Sequence, residues 1–292
     1  MKKEKVIFII NPIAGSRSKA ALPQLIEQHL DHQKYELQLV FTDFKGQGSE
    51  ITNLAVANGA SIIVAVGGDG TVNEIGKMLI DTKACLGILP AGSGNGLARH
   101  LKIPLDLIKA IKVINQGKKV FIDAGKMNGK FFFCTSGVGF DAHIGDVFAT
   151  KVHRGFQGYI KTTLKEFNAY QPQLYKLTLP DKELVRESFL ITIANASQYG
   201  NNAFIAPHAN IQDHLLDICI MKKFPPIAAL DMGIRIFTKR IQFSKYVEFL
   251  QLPELTIERP LPGIVHVDGE PFQMDARLDI RIVPGGLQVL AP

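Results

Sequence analysis

Apolar positions in the first 120 residues recur in two alternating rhythms. Val6–Ile10 is an unbroken apolar run, the pattern of a parallel strand covered on both faces. Ser18–Leu30 places Leu22, Leu25, Ile26 and Leu30 on one helical face, with Pro23 early enough for a first turn. Tyr35, Leu37, Leu39 and Phe41 alternate as a strand, and Ser49–Asn58 reads as a helix that Gly59 ends. Ser61–Val66 is a second apolar strand, Val72–Ile80 a helix and Leu86–Leu89 a strand. Asp106 can cap a helix carrying Leu107, Ile108, Ile111 and Ile114, closed by Gly117. Strand–helix alternation of this kind predicts an α/β fold with an open parallel, Rossmann-like sheet.

The texture changes after Asp123. Phe131–Cys134, Leu174–Leu179, Glu187–Ala194, Leu215–Met221, Tyr246–Leu250, Leu255–Ile257, Ile264–Val267 and Leu278–Val283 are short β-branched or aromatic runs between Gly, Pro, Asn and Asp clusters. Two helices are expected among them, around Asp146–Tyr170 and Ile227–Arg240. Residues 1–123 therefore read as an α/β domain and residues 124–279 as a mainly antiparallel β-sandwich. No linker separates them, which predicts a shared cleft.

The whole chain has 292 residues, 46% apolar and 21% charged, which excludes a disordered or collagen-like chain. The net charge of +6 permits attraction to phosphate, anionic lipid or nucleic acid without choosing among them. No basic stripe interleaved with aromatics supports nucleic acid, so that partner is set aside. Cys85, Cys134 and Cys219 lie far apart with no CxxC spacing, which points to a reducing, cytoplasmic setting. Lys2-Lys3-Glu4-Lys5 resembles the start of a signal peptide, but five apolar residues are too few and Asn11-Pro12 ends the run. No stretch approaches the ~20 apolar residues of a membrane span. The expectation is a soluble protein, or one resting on a membrane.

Candidate chemistry sits in three glycine-rich turns after strands. Gly67-Gly68-Asp69-Gly70-Thr71 follows one strand and opens a helix, whose unpaired N–H groups and positive end suit phosphate. Asp69 would repel phosphate unless Mg²⁺ lies between them. The alternative is a tight turn in which Asp69 caps its own helix. Pro90-Ala91-Gly92-Ser93-Gly94-Asn95-Gly96 repeats the arrangement, with Ser93 and Asn95 as donors to phosphate or ribose, and Asn11-Pro12-Ile13-Ala14-Gly15-Ser16 is the third turn. Three such loops at one end of a parallel sheet form a ligand-binding edge. The P-loop, the first-strand GxGxxG and the protein-kinase signatures are all missing.

Gly67–Glu74 together with Pro90–Asn95 resembles the catalytic domain of the diacylglycerol and sphingosine kinases, specifically the short bacterial lipid kinases. The resemblance extends to Asn11-Pro12 with Gly15, to Gly137-Val138-Gly139-Phe140-Asp141 and to Val267-Asp268-Gly269-Glu270-Pro271. It implies transfer of the γ-phosphate of ATP to a lipid hydroxyl. ATP would be held by Asn11, Thr42, Gly67, Gly68, Asp69, Gly70, Thr71, Asn73, Gly92, Ser93 and Asn95, with Asp69 near Mg²⁺. Ser93 stands where the family has Thr and keeps the hydroxyl, whereas Gly96 stands where an Asp is common. It also implies that residues 280–292 rejoin the first domain. Asp268-Gly269 between two strands is by itself a hairpin signal. The family's general base is this Asp, and a hairpin tip can present it, with Glu270 as a second carboxylate. A structural Mg²⁺ would be held by the Asp213 carboxylate and the carbonyls of Asn210 and Leu215. His214, read as a surface residue, replaces the usual glycine there.

The acceptor end reads less sharply. Phe156, Ile160, Thr163, Leu164 and Phe167 share one helix face, with Lys151, Arg154, Lys161 and Lys165 around it; lipid contact and ordinary core packing both fit. Lys239, Arg240 and Lys245 form a second basic cluster with the same two readings. The expectation is thus a Mg²⁺- and ATP-dependent kinase of a diacylglycerol-like or sphingoid lipid, peripheral at the inner membrane face, with a homodimer as a further partner expectation. The rivals are an NAD kinase and a non-catalytic nucleotide- or lipid-binding protein.

Overall fold

The computed structural model describes residues 3–15, 20–149, 163 and 165–292. The chain divides into two compact units, Met1–Ile122 with Pro284–Pro292, and Asp123–Val283.

In the first unit the apolar runs become parallel strands β1 (Glu4–Ile10), β2 (Tyr35–Phe41), β3 (Ile62–Gly67) and β4 (Cys85–Pro90), in the order β2-β1-β3-β4. β1, β3 and β4 are buried over nearly their whole length because helices cover both faces, which is why their sequences are unbroken rather than alternating. The helices are α1 (Leu22–His29), α2 (Gln47–Ala57), α3 (Asp69–Gly76), α4 (Gly96–His100) and α5 (Leu107–Gln116). Asp106 accepts the Lys109 N–H at 2.9 Å, and Gly117 ends α5 at φ +66°, as the pattern requires. The expected helix Val72–Ile80 is displaced. It starts at Asp69 and stops at Gly76, after which Met78 and Leu79 donate to the carbonyls three residues back.

In the second unit β5 (Lys119–Met127), which enters from the first, turns into β6 (Lys130–Phe132). Strands β7 (Thr135–Gly139), β10 (Leu190–Ala194), β11 (Leu216–Met221), β12 (Val247–Leu252), β14 (Gly263–Val267) and β15 (Glu270–Met274) form one antiparallel sheet, ordered β12-β11-β10-β7-β14-β15. β8 (Gln173–Thr178), β9 (Glu183–Ser188), β13 (Glu254–Glu258) and the first half of β16 (Arg277–Leu290) form another. Val138, Ile191, Ile218 and Val265 of one sheet pack with Tyr175, Leu177, Ile257 and Leu278 of the other, which makes a sandwich core. The second half of β16 belongs to the first unit, where Val289 pairs in parallel with Leu86.

Two expectations need correction. Glu187–Ala194 is not one strand: residues up to Ser188 end β9, and Leu190–Ala194 is β10 in the other sheet. The break falls at Phe189, where a half-exposed alternation gives way to a continuous buried run. The helix expected from Asp146 starts earlier, as α6 (Phe140–Ala149), and residues 165–169 are helical. Phe167 is buried against Phe189 and Phe224, so that position belongs to the core. Lys151, Arg154, Phe156, Ile160, Lys161 and Leu164, like Ser16 and Ser18, lie outside the described residues. Near Ile227 a 3₁₀ turn (Pro226–Ala228) leads into α7 (Ala229–Phe237). Among the described residues no helix is long and apolar enough to cross a membrane.

Candidate active site

The first unit gathers its three loops at the C-terminal ends of β1, β3 and β4. Asn11 donates through Nδ2 to Thr71 Oγ1 at 3.1 Å and accepts the Ile13 N–H on Oδ1. The Thr42 N–H bonds the Ile10 carbonyl, which sets that buried threonine beside the Asn11 loop. Gly68 and Gly92 meet backbone to backbone, and a Cβ on Gly92 would overlap Gly68 Cα. Asn95, buried at φ +53°, accepts the Gly92 N–H at 3.1 Å and donates to the Gly92 carbonyl at 2.8 Å, closing the second loop on itself. Ser93 stands exposed at the tip of that loop.

Asp69 does not cap its own helix: the N-cap of α3 is Gly68, with no side-chain bond. Its carboxylate reaches across to the second loop, where Oδ1 accepts the Gly96 N–H at 2.6 Å and Oδ2 the Asn95 N–H at 2.9 Å. Asp69 thus braces the two loops and occupies the amides that open α4. A carboxylate at this place also suits magnesium, whose ligands are hard oxygens.

In the second unit Asp268-Gly269 is a two-residue hairpin turn, closed by the Val267–Glu270 pair, with φ +47° and +83°. The Asp268 carboxylate accepts three consecutive backbone N–H groups, Phe133 at 2.9 Å, Cys134 at 2.8 Å and Thr135 at 3.1 Å. Its own N–H donates to the Thr135 carbonyl. Asn195, fully buried, donates Nδ2 to the carbonyls of Phe133 and Asp123. Both Asn195 and Asp268 therefore hold residues 133–135, and Glu270 follows at the start of β15.

A polar cluster joins the start of α6 to β10 and β14. Asp141 Oδ2 accepts from Thr192 Oγ1 at 2.8 Å, Tyr199 OH at 3.1 Å and His266 Nε2 at 3.1 Å. Because the carboxylate only accepts, His266 Nε2 carries the proton, and Nδ1 is buried without a partner. A Cβ on Gly137 would stand 2.9 Å from both Asp141 Oδ2 and His266 Nε2, so only glycine fits there. The cluster ties the start of α6 to β14, two residues before Asp268. Of its members the sequence flagged only Asp141, through the Gly137–Asp141 motif.

The loop at 210–215 has its own anchor. His214 takes φ +63°, a glycine-like conformation. Its backbone N–H and ring Nδ1 both bond buried Asp123, at 2.8 and 3.0 Å, so His214 is an exposed but tethered residue rather than a plain surface one. Asn210 Oδ1 accepts the Gln212 N–H, and Asp213 Oδ1 the Leu215 N–H. Nearby, Asp217 Oδ2 is buried with no hydrogen-bond partner. Burial, with the Asp213 charge adding, pushes the Asp217 carboxyl up to about 6, against the Gln251 hydrogen bond that lowers it. Carboxylate and backbone carbonyl oxygens are the donor chemistry of a hard cation, and Asp213 and the orphaned oxygen of Asp217 are of that kind, whereas the imidazole of His214 bonds Asp123 instead. Among the described residues no group of three or more His, Cys, Asp or Glu side chains gathers.

Asp217 makes stability depend on pH. A carboxyl raised in the folded state favours folding below its unfolded value, and that contribution is lost as pH rises through about 6. In magnesium-free buffer Asp217→Asn is expected to be more stable than the parent by about 2 kcal/mol at pH 7.5, with the gain vanishing near pH 4. Urea unfolding at both pH values checks this; an equal difference at both would contradict it.

Comparison with known proteins matches both units. The family model of the diacylglycerol kinase catalytic domain covers residues 5–127, and that of the YegS C-terminal NAD kinase beta sandwich-like domain covers residues 135–291. A protein of Chromohalobacter salexigens named "Probable lipid kinase YegS-like" is 33% identical over 85% of this chain and 81% of its own. A "Diacylglycerol kinase" of Mycobacterium tuberculosis is 29% identical over 99% and 95%. A crystal structure of a diacylglycerol kinase from Bacillus anthracis superposes with TM-score 0.78 at 21% identity, over 100% of this chain and 98% of that one. The chain belongs to the short bacterial lipid kinase family, with that family's α/β and antiparallel β halves.

Proposed function

We propose that this protein is a lipid kinase that transfers the γ-phosphate of Mg-ATP to the hydroxyl of a diacylglycerol-like or sphingoid acceptor presented at a membrane surface. The observation that carries the reading is the match of the diacylglycerol kinase catalytic-domain model to the half of the chain that holds the braced glycine loops.

In this reading the triphosphate lies along Gly67–Thr71, where helix α3 opens, with Asn11, Thr42, Asn73, Gly92, Ser93 and Asn95 shaping the pocket around it. The Asp69 brace keeps the Gly68 and Gly92 loops in contact, so the backbone is set before the nucleotide arrives. Magnesium, held by Asp69 and the phosphates, would neutralise charge on the transferring group. Asp268 accepts the proton of the acceptor hydroxyl, and the three amides of Phe133–Thr135 hold its carboxylate in place for that. Glu270 orients the acceptor beside it. Asp213, with the carbonyls of Asn210 and Leu215, would hold a second, structural magnesium.

Labelled γ-phosphate offered to diacylglycerol, phosphatidylglycerol, ceramide, sphingosine and NAD, each in the same detergent, tests the reading. Label in a lipid is expected; label in NAD alone would replace the reading with NAD kinase. Gly92→Ala, which forces the two loops apart at Gly68, is expected to weaken ATP binding at least about tenfold by titration calorimetry. An unchanged Kd would separate the loop contact from nucleotide binding.

A further inference from the structure

Helix α7 is apolar on two opposite faces. Ala228, Ala229, Met232 and Ile236 face the core, where Met232 is buried against the aromatic cluster that includes Phe167, Phe189 and Phe224. Ile227, Leu230, Ile234 and Phe237 are 90%, 75%, 54% and 48% exposed, and Phe243, in the turn that follows, is 72% exposed. At 3.6 residues per turn the four outward side chains fall within an arc of about 80°, on the side opposite Met232 and Ile236. A surface helix ordinarily carries polar residues there. Its polar positions are instead confined to a narrow flank, where Arg235 and Asp231 pair with each other at 2.7 Å. Five of the fourteen large apolar side chains that stand exposed among the described residues thus fall within residues 227–243.

The charge around this stripe is of one sign. Residues 222–245 contain Lys222, Lys223, Arg235, Lys239, Arg240 and Lys245 against Asp231 alone, nearly the whole net charge of the chain. Lys239, Arg240 and Lys245 are exposed beyond the C-terminal end of the stripe. Lys239 lies over the Phe204 ring and Lys245 over Tyr246, so their stems follow the apolar surface. A symmetric second copy seated here would set these like charges against each other. A bilayer bearing anionic headgroups takes both parts, the apolar stripe into the acyl boundary and the cations onto phosphate.

We infer that the outer face of α7 is the surface by which this protein docks on an anionic membrane. The inference rests on the lipid-kinase reading for its biological occasion, because a lipid acceptor lies in such a membrane, and it gives that reading a place of contact. α7 packs on the same layer as α6, whose first turn is tied through His266 to β14, the strand that leads into the Asp268 turn, so docking at α7 engages the unit that holds the proposed base.

Sedimentation with vesicles of equal phosphatidylcholine and phosphatidylglycerol tests it. Wild-type protein is expected to co-sediment, and less so as salt is raised. Leu230→Ser with Ile234→Ser removes exposed apolar area only and is expected to weaken partitioning at least about tenfold. Arg240→Ser with Lys245→Ser is expected to weaken it several-fold and to flatten the salt dependence, while Val185→Ser, equally exposed on β9, leaves it unchanged. Failure of the wild type to bind, or equal binding by the Leu230/Ile234 variant, overturns the inference. So does a wild-type dimer in sedimentation equilibrium that this variant turns into monomer, because the stripe would then be a self-association face. Turnover of a short-chain diacylglycerol in detergent, measured alongside, separates the two claims. Stripe-dependent vesicle binding with no phosphorylation of any lipid would leave the docking surface standing and remove the kinase reading. Normal turnover with stripe-independent binding would do the reverse.

Discussion

Asp268→Asn is expected to lower kcat by about a thousandfold while the Kd for ATP stays within about twofold. The substitution keeps the hairpin, since Asn accepts positive φ as readily as Asp. It removes the charge that would receive the hydroxyl proton, and it turns an NH₂ group towards a row of three backbone N–H donors. Part of the effect is therefore positional: the Phe133–Thr135 segment loses an acceptor, and a fall of a few degrees in Tm is expected with it. The two contributions separate in the kinetics. Loss of a proton acceptor that acts at the chemical step lowers kcat with the KM for ATP unchanged, whereas collapse of the segment would raise KM and broaden the unfolding transition. Near-normal turnover would remove Asp268 from the chemistry.

The second large effect is expected at Asp69. Asp69→Asn keeps one carbonyl oxygen for either the Asn95 or the Gly96 N–H and sets its amide against the other, so one buried donor loses its partner. The cost is about 1–3 kcal/mol of stability. The consequence for binding is larger, because the second loop loses the tie that holds it to Gly68, and the Kd for Mg-ATP is expected to rise by tenfold or more. Asp69→Ala, which leaves both donors without an acceptor, should be worse in both measurements. Calorimetric titration with Mg-ATP and thermal unfolding of the two variants check the order. Stability and affinity unchanged in Asp69→Ala would dismiss the brace.

Much of the architecture was legible because it depends on short-range patterns. Unbroken runs such as Val6–Ile10 marked strands buried on both faces, Asp106 and Gly117 marked the ends of α5, and Asp268-Gly269 marked a hairpin tip. Each signal lies within a few residues of the feature it produces. What stayed hidden was set by partners far along the chain. Asp69 sits where a helix cap belongs, yet its bonds go to residues 26 and 27 positions later. The cradle around Asp268 comes from amides more than 130 residues before it, and such backbone donors carry no side-chain signal at all. His266 belongs to no motif in its own segment and gains its partner only when Asp141, 125 residues away, is placed against it. The exposed stripe of α7 was hidden for a different reason. Hydrophobic periodicity reports that a helix has an apolar face, but when two opposite faces are apolar it does not say which one meets the core.

The most direct test of the account is ³¹P NMR of a single reaction containing the protein, Mg-ATP and a detergent-dispersed lipid that accepts label. In the wild type a phosphomonoester resonance on the lipid is expected to grow in one-to-one proportion with ADP, and in Asp268→Asn neither resonance is expected above background. ADP released without lipid phosphate, or a lipid phosphomonoester formed at equal rate by Asp268→Asn, would contradict it.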